Sequence, residues 1–314
     1  MSVRAAVLAC VVGAVCAGGA GLVWAQQGAA PRLDSTEIVF DASVPSALEV
    51  KRAPTGHLLV RPVVNGIDAG WFIFDTGAGI CCVSTPHVER LGLRESGSVD
   101  SVGVGGSQSS TLVTAESVRL GPATVADHVL MVTDLAFLKQ HLGEEIVGVI
   151  GYGILSKCVV EMDLHHGRIG VHDPAEAVVA DLAWTELMIG DRVPAVRARF
   201  EDREGVFRLD TGANGHVTFH QPAVKKWDLL ADRAVTDARL GGVGGFVAAK
   251  QGTVAWFEIG GVRTEDVPAK FAIEAKGTFA DAKKDGNIGV ELLRPFVLWF
   301  DYAGERMAFV KRGE

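Results

Sequence analysis

The sequence predicts an all-β protein built as two small β-barrels in tandem. Three observations carry that expectation. The tetrapeptide Asp-Thr-Gly-Ala occurs twice, 135 residues apart, and further landmarks recur behind each copy in the same order. Short apolar runs rich in Val, Ile and Phe are punctuated by many of the chain's 38 glycines, the pattern of short strands joined by turns. Helical patterning is confined to a few short stretches.

The repeat defines the organisation. Phe72-Ile-Phe-Asp-Thr-Gly-Ala-Gly79 matches Phe207-Arg-Leu-Asp-Thr-Gly-Ala-Asn214. Gly103-Val-Gly-Gly106 then matches Gly242-Val-Gly-Gly245 at an offset of 139. Val149-Ile-Gly151 matches Asn287-Ile-Gly289, and Glu161-Met-Asp-Leu164 matches Trp299-Phe-Asp-Tyr302, both at 138. Four landmarks in order with so little drift indicate a duplication. The expected units are residues 36–173 and 181–311, each of ordinary domain size, with Pro174–Val178 as a short linker.

Within the first unit, Leu58–Val64 followed by Asn65-Gly66 reads as a strand and a hairpin turn. Trp71–Phe74 is a short apolar run, suited to a strand buried on both faces, that ends at the first Asp-Thr-Gly. Val160–Leu164 and Arg168–His172 flank His165-His166-Gly167 as a hairpin, and Val297–Tyr302 with Arg306–Val310 repeats it. Short helices are expected over Pro86–Leu91, Pro222–Leu229 and just after Gly151.

At the N-terminus, Arg4 precedes an uncharged run from Ala5 to Ala25 that ends Val23-Trp24-Ala25. A positive start, an apolar stretch and small residues near a cleavage point read as an export signal over residues 1–25, removed after Ala25. The same run is nearly long enough to serve as an uncleaved membrane anchor, so a membrane enters only in that alternative. Cys10 lies too near the start to mark a lipoprotein box. Removing residues 1–25 leaves Cys81, Cys82 and Cys158, an odd number. A bridge from Cys158 to Cys81 or Cys82 and three buried thiols both fit.

Composition excludes some classes. With 48% hydrophobic and 22% charged residues the chain can bury a substantial core and is not a disordered polymer. A net charge of −8 without a basic stripe argues against nucleic acid as a partner. There is no Gly-x-Ser-x-Gly elbow, no His-Glu-x-x-His pair and no CxxC spacing, so neither a serine nucleophile nor a metal is expected, and no cofactor is implied.

One aspartate per unit, Asp75 and Asp210, at the end of an apolar strand is the distinctive chemical feature. Two carboxylates brought together across a pseudo-twofold axis cannot both ionise, so they share a proton. One can then act as general base on water while the other donates to a carbonyl oxygen. The glycine of each motif permits close backbone approach. The threonine hydroxyl can cross-bond to the other loop.

These residues resemble the retropepsin-like aspartic proteases, in the duplicated bacterial exported form. The resemblance covers most of residues 50–312. It implies two pepsin-type β-barrel lobes with an active-site cleft between them. It makes Asp75 and Asp210 the catalytic pair, with Thr76, Gly77, Thr211 and Gly212 supporting them. Gly103, Val104, Gly105 and Gly106, and Gly242, Val243, Gly244 and Gly245, become the tips of two flaps. Gly151 and Gly289 become glycines packed beneath the catalytic loops. The implied activity is peptide-bond hydrolysis of an extended polypeptide, by a monomer complete in one chain, exported and, by the resemblance, periplasmic. The alternative is a non-catalytic peptide-binding or scaffolding module of the cell envelope. Two departures stand out. Arg208 occupies the place of Ile73, and Asn287 replaces an apolar residue beneath the second loop.

Overall fold

The structure, a computed structural model, describes Val7–Leu8, residues 37–177 and residues 181–311. The rest of the expected export signal lies outside the described residues. Strands dominate, and the two halves repeat one topology. In the first lobe, strands run side by side in the order Trp71–Phe74, Ile146–Ile150, Cys82–Ser84, Ala123–Thr133, Gly106–Leu120 and Arg94–Gly103. In the second, the order is Arg203–Leu209, Gly286–Ile288, Val217–Phe219, Val262–Ala272, Gly245–Ile259 and Thr236–Gly242. The spatial order of corresponding strands is identical, so the duplication seen in the sequence is one of fold as well.

The strand before each Asp-Thr-Gly is central, which is why the first reads as an unbroken apolar run. Phe72, Ile73 and Phe74 are fully buried, and Ile73 pairs in parallel with Val149. The corresponding pair in the second lobe is Arg208 with Asn287. That lobe is otherwise packed around rings: Phe200, Phe207, Phe219 and Phe257 make contacts at centroid separations of 4.8–6.1 Å. At roughly 25 cal/mol per Å² of apolar surface, such side chains supply much of a lobe's stability.

The repeated hairpins do not stay in separate lobes. Val159–Asp163 pairs antiparallel with Phe296–Asp301, so one five-stranded sheet carries strands from both halves and fixes the lobes to one another. Asn65 and Gly66 take φ of 50° and 78°, the hairpin turn their identities predict. The strand before them is interrupted at Arg61-Pro62, since proline has no N–H to give to the ladder.

Helix is scarce, as expected, but its placement differs in detail. Tyr152–Leu155 and Gln221–Lys226 are α-helical, whereas only Thr85–His87 forms a 3-10 turn in the stretch expected to be a helix at 86–91. A further turn and helix over Ala136–Leu142 came with no sequence signal strong enough to mark it. Cys81, Cys82 and Cys158 are free and buried.

Candidate active site

The two Asp-Thr-Gly loops meet between the lobes, and corresponding bonds hold each in place. Asp75 N–H donates to Ile150 O and Asp210 N–H to Ile288 O, both at 2.9 Å, tying each loop to the strand paired with its own. Ala78 O accepts from Tyr152 N at 2.8 Å and Ala213 O from Val290 N at 2.9 Å, so a short helix backs each loop. Gly151 and Gly289 lie at those helix starts. A Cβ on Gly151 would sit 2.4 Å from Ala78 O, and one on Gly289 would sit 2.4 Å from Gly215 O. Any side chain there would push the loop out of place.

The threonines cross-link the loops. Thr76 Oγ1 donates to Leu209 O at 2.7 Å and accepts from Thr211 N at 3.1 Å. Thr211 Oγ1 donates to Phe74 O at 2.9 Å and accepts from Thr76 N at 3.0 Å. All four bonds are buried and run from one lobe to the other. A third cross-link comes from His57, fully buried, whose Nε2 lies 2.9 Å from Gly212 O while Nδ1 meets Thr55 Oγ1 at 2.7 Å. Nothing in the sequence singled out His57, because no spacing relates it to the second loop.

Asp75 and Asp210 have no solvent exposure. Asp75 Oδ1 accepts from Gly77 N at 2.7 Å and from Gly212 N at 3.2 Å, one donor from each loop. Gly77 also lets the pair close up. A Cβ there would lie 2.6 Å from Asp210 Oδ1 and 3.1 Å from Asp75 Oδ1. Asp75 Oδ2 and Asp210 Oδ1 are buried without a partner among the described residues. Burial pushes the Asp75 carboxyl well above its ordinary range, and the neighbouring Asp210 charge pushes it further. Burial also lifts Asp210, to about 7, against the opposing pull of Asn287 and Arg208. The pair therefore keeps a proton to higher pH than separate carboxyls would, and titrates as a unit.

The second lobe adds a polar chain with no counterpart in the first. Asn287 Nδ2 donates to Asp210 Oδ2 at 2.8 Å. Behind it, His220 Nε2 lies 2.8 Å from Asn287 Oδ1, and His220 Nδ1 faces Lys284 O at 3.0 Å. Arg208, the other departure, turns its guanidinium to Asp281 at 2.8 Å and to Thr278. Its pairing with Asp281 keeps it from being a bare charge beside the dyad. Asn287 and Arg208 were visible in the sequence as oddities. His220 was not, since a lone histidine carries no signal of its partners.

The glycine-rich hairpins close over this centre. Gly103 pairs with Gly106 and Gly242 with Gly245, leaving Val104-Gly105 and Val243-Gly244 as the tips. The tips touch: Gly105 N–H donates to Val243 O at 3.2 Å. Each valine is buried in the opposite lobe, Val104 among Ala213, Leu240, Val247 and Phe279, and Val243 among Ile80, Leu112 and Val129. The sequence identified the tips but not this exchange. No cluster of three or more metal-ligating side chains occurs among the described residues.

The model of the aspartyl protease family matches the chain twice, over residues 60–154 and 196–292. Among solved structures, basic 7S globulin from soybean is similar, with a TM-score of 0.50 and 13% identity, covering 85% of this chain and 95% of that one. At that identity the likeness concerns fold alone. No curated protein sequence matches the chain. The two family matches together span more than half of the 314 residues, and each contains one Asp-Thr-Gly loop, one hairpin tip and one packing glycine. The chain belongs to the aspartyl protease family, with two retropepsin-like units in tandem.

Proposed function

We propose that the protein is an aspartic endopeptidase in which Asp75 and Asp210 activate a water molecule against a peptide carbonyl. The observation that carries this is the meeting of the two carboxyls, one from each unit, in a fully buried site where they share backbone donors. In the monoanion, the ionised carboxylate takes a proton from water as the oxygen attacks the carbonyl carbon. The protonated partner donates to the carbonyl oxygen, and the resulting tetrahedral species then collapses with proton transfer to the leaving nitrogen. Gly77 and Gly212 N–H groups stabilise the ionised form without touching substrate. Both halves of the site come from one chain, so the active species is a monomer. Export through residues 1–25 is part of the same proposal. Among the described residues no helix is long and apolar enough to cross a membrane.

A binding module remains the competing reading, because a protein of this fold is named for a globulin rather than a protease and the closed hairpin tips leave the dyad inaccessible. Residues 26–314, incubated with a complex peptide mixture from acidic to neutral pH and read by mass spectrometry, decide between them. Cleavage by the monomeric fraction, lost by about 10²-fold or more in both Asp75→Asn and Asp210→Asn, is the expected result. Binding of peptides without cleavage at any pH, or full activity in either variant, would replace the protease by the binding module.

A further inference from the structure

A cavity of about 700 Å³ opens beside the second catalytic loop. Ala213 and Asn214, the residues that follow the second Asp-Thr-Gly, form one wall, and Leu240 of the second hairpin forms another. Val217 and Pro268 make the lining largely apolar. Lys270 adds a positive charge to it. It sits on Val262–Ala272, paired with Thr218, and its side chain is half-buried in the lining. Among the described residues its ammonium has no hydrogen bond and no ion pair. Burial alone lowers its pKa, to about 8, with no charged neighbour contributing.

An unpaired ammonium in a half-buried apolar lining is costly. Two other guanidiniums of this lobe are treated differently: buried Arg208 is paired with Asp281 at 2.8 Å and half-buried Arg233 with Glu201 at 2.6 Å. The other titratable groups lining the cavity are His216 and Glu291, and the Glu291 carboxylate is engaged by Arg294 at 2.5 Å. Asn214 also has its side-chain oxygen buried without a donor. The duplication supplies an internal control. The position equivalent to Lys270, by its pairing with the strand after the Asp-Thr-Gly loop, is Val132, which packs on the apolar core. The charge therefore breaks the symmetry of the two lobes on one side of the dyad only.

We propose that this cavity is a pocket for a carboxylate of the bound polypeptide, held by Lys270 Nζ, with Asn214 accepting an N–H from the same chain. The proposal rests on the protease reading and names its substrate class: peptides with an acidic group at one position, on one side of the scissile bond. The carboxylate can be supplied by an Asp or Glu side chain or by a chain terminus. Between about pH 5 and 7 both partners are charged, since the carboxylate ionises near 4.

The test uses residues 26–314 at pH 5.5 and peptides that differ only by Glu or Gln at successive positions, each with a free or an amidated C-terminus. The expected result is a preference of about tenfold or more for Glu at a single position, the size of one charge-assisted hydrogen bond. That preference disappears in Lys270→Met and turns towards Lys or Arg in Lys270→Glu. A dependence on the free C-terminus that Lys270→Met removes identifies the terminus as the source. Lys270→Met should melt no lower than the parent, because it removes a desolvated charge. No Glu preference, or one unchanged in Lys270→Met, overturns the pocket. If the parent cleaves nothing, the protease reading fails by itself. Binding of the Glu and Gln peptides to Asp210→Asn, with and without Lys270→Met, then decides the pocket by the same criterion.

Discussion

Asn287 is where a single residue alters the chemistry of the site. In the first lobe the corresponding position is Val149, which leaves Asp75 to backbone donors alone. In the second, an amide stands between Asp210 and His220. Both His220 ring nitrogens face oxygens, and a neutral ring can donate to only one of them, Lys284 O or Asn287 Oδ1. Burial and the Arg208 charge hold His220 down to about 4, so the ring charges only in acid. A neutral ring protonated on Nε2 donates to Asn287 Oδ1 and leaves the amide N–H towards Asp210, where it supports the carboxylate. Asn287→Val removes that support, and Asp210 then ionises less readily. We expect the acid limb of kcat/KM to move up by about one pH unit, the size of one hydrogen bond to a charged group. Rates at pH well above that limb should change less. A pH profile superimposable on the parent's would show that the amide has no influence on the dyad.

Among the elements, the two hairpins are the parts whose behaviour function depends on most. Each is long, 94–120 and 236–259, and each is held at its tip by one valine in the opposite lobe and by the Gly105–Val243 bond, the first also lying against Gly277. With the tips closed, Asp75 and Asp210 have no exposure, so a polypeptide can reach them only when the tips part. Val104→Ala deletes two buried methyls, a change worth about 1–2 kcal/mol in a packed site. Because that contact exists only in the closed arrangement, the loss falls on closure. Amide exchange at Gly105 should quicken by about tenfold, while the sheet strands beneath keep their protection. Unchanged exchange at Gly105 would mean that the tips are held by something other than their valines.

For the whole molecule, the buried dyad makes stability depend on pH. Asp210 binds its proton more tightly in the folded chain than at its ordinary value of 3.8, and Asp75 moves in the same direction. A carboxyl with a raised folded pKa stabilises the fold fully below its unfolded pKa, and that contribution is lost as pH rises through the folded value. Between about pH 4 and 7 the parent should therefore lose stability relative to Asp210→Asn, by about 1.4 kcal/mol for each step of one in pH. Thermal melts of the two proteins across that range measure it. Curves that stay parallel would place the dyad's pKa values near those of ordinary carboxyls.

By itself the sequence determined the duplication, the all-β class and the two Asp-Thr-Gly loops with their hairpin tips and packing glycines. Each of these is written in local form: an alternation, a turn, a glycine where no Cβ fits, repeated at a nearly constant offset. It also marked Arg208 and Asn287 as misfits, since polar residues at apolar positions of a repeat are visible without coordinates. Only the tertiary structure decided what those misfits do. Asn287 reaches Asp210 and His220 across 77 and 67 residues of chain, and His57 reaches Gly212 across 155. It also decided that Val104 and Val243 change lobes, that Lys270 lines a cavity without a partner among the described residues, and that the repeated hairpins merge into one sheet. Contacts between residues so far apart depend on how the two lobes are set against each other. No local pattern encodes that, because hydrogen bonding and burial are satisfied in space and not along the chain.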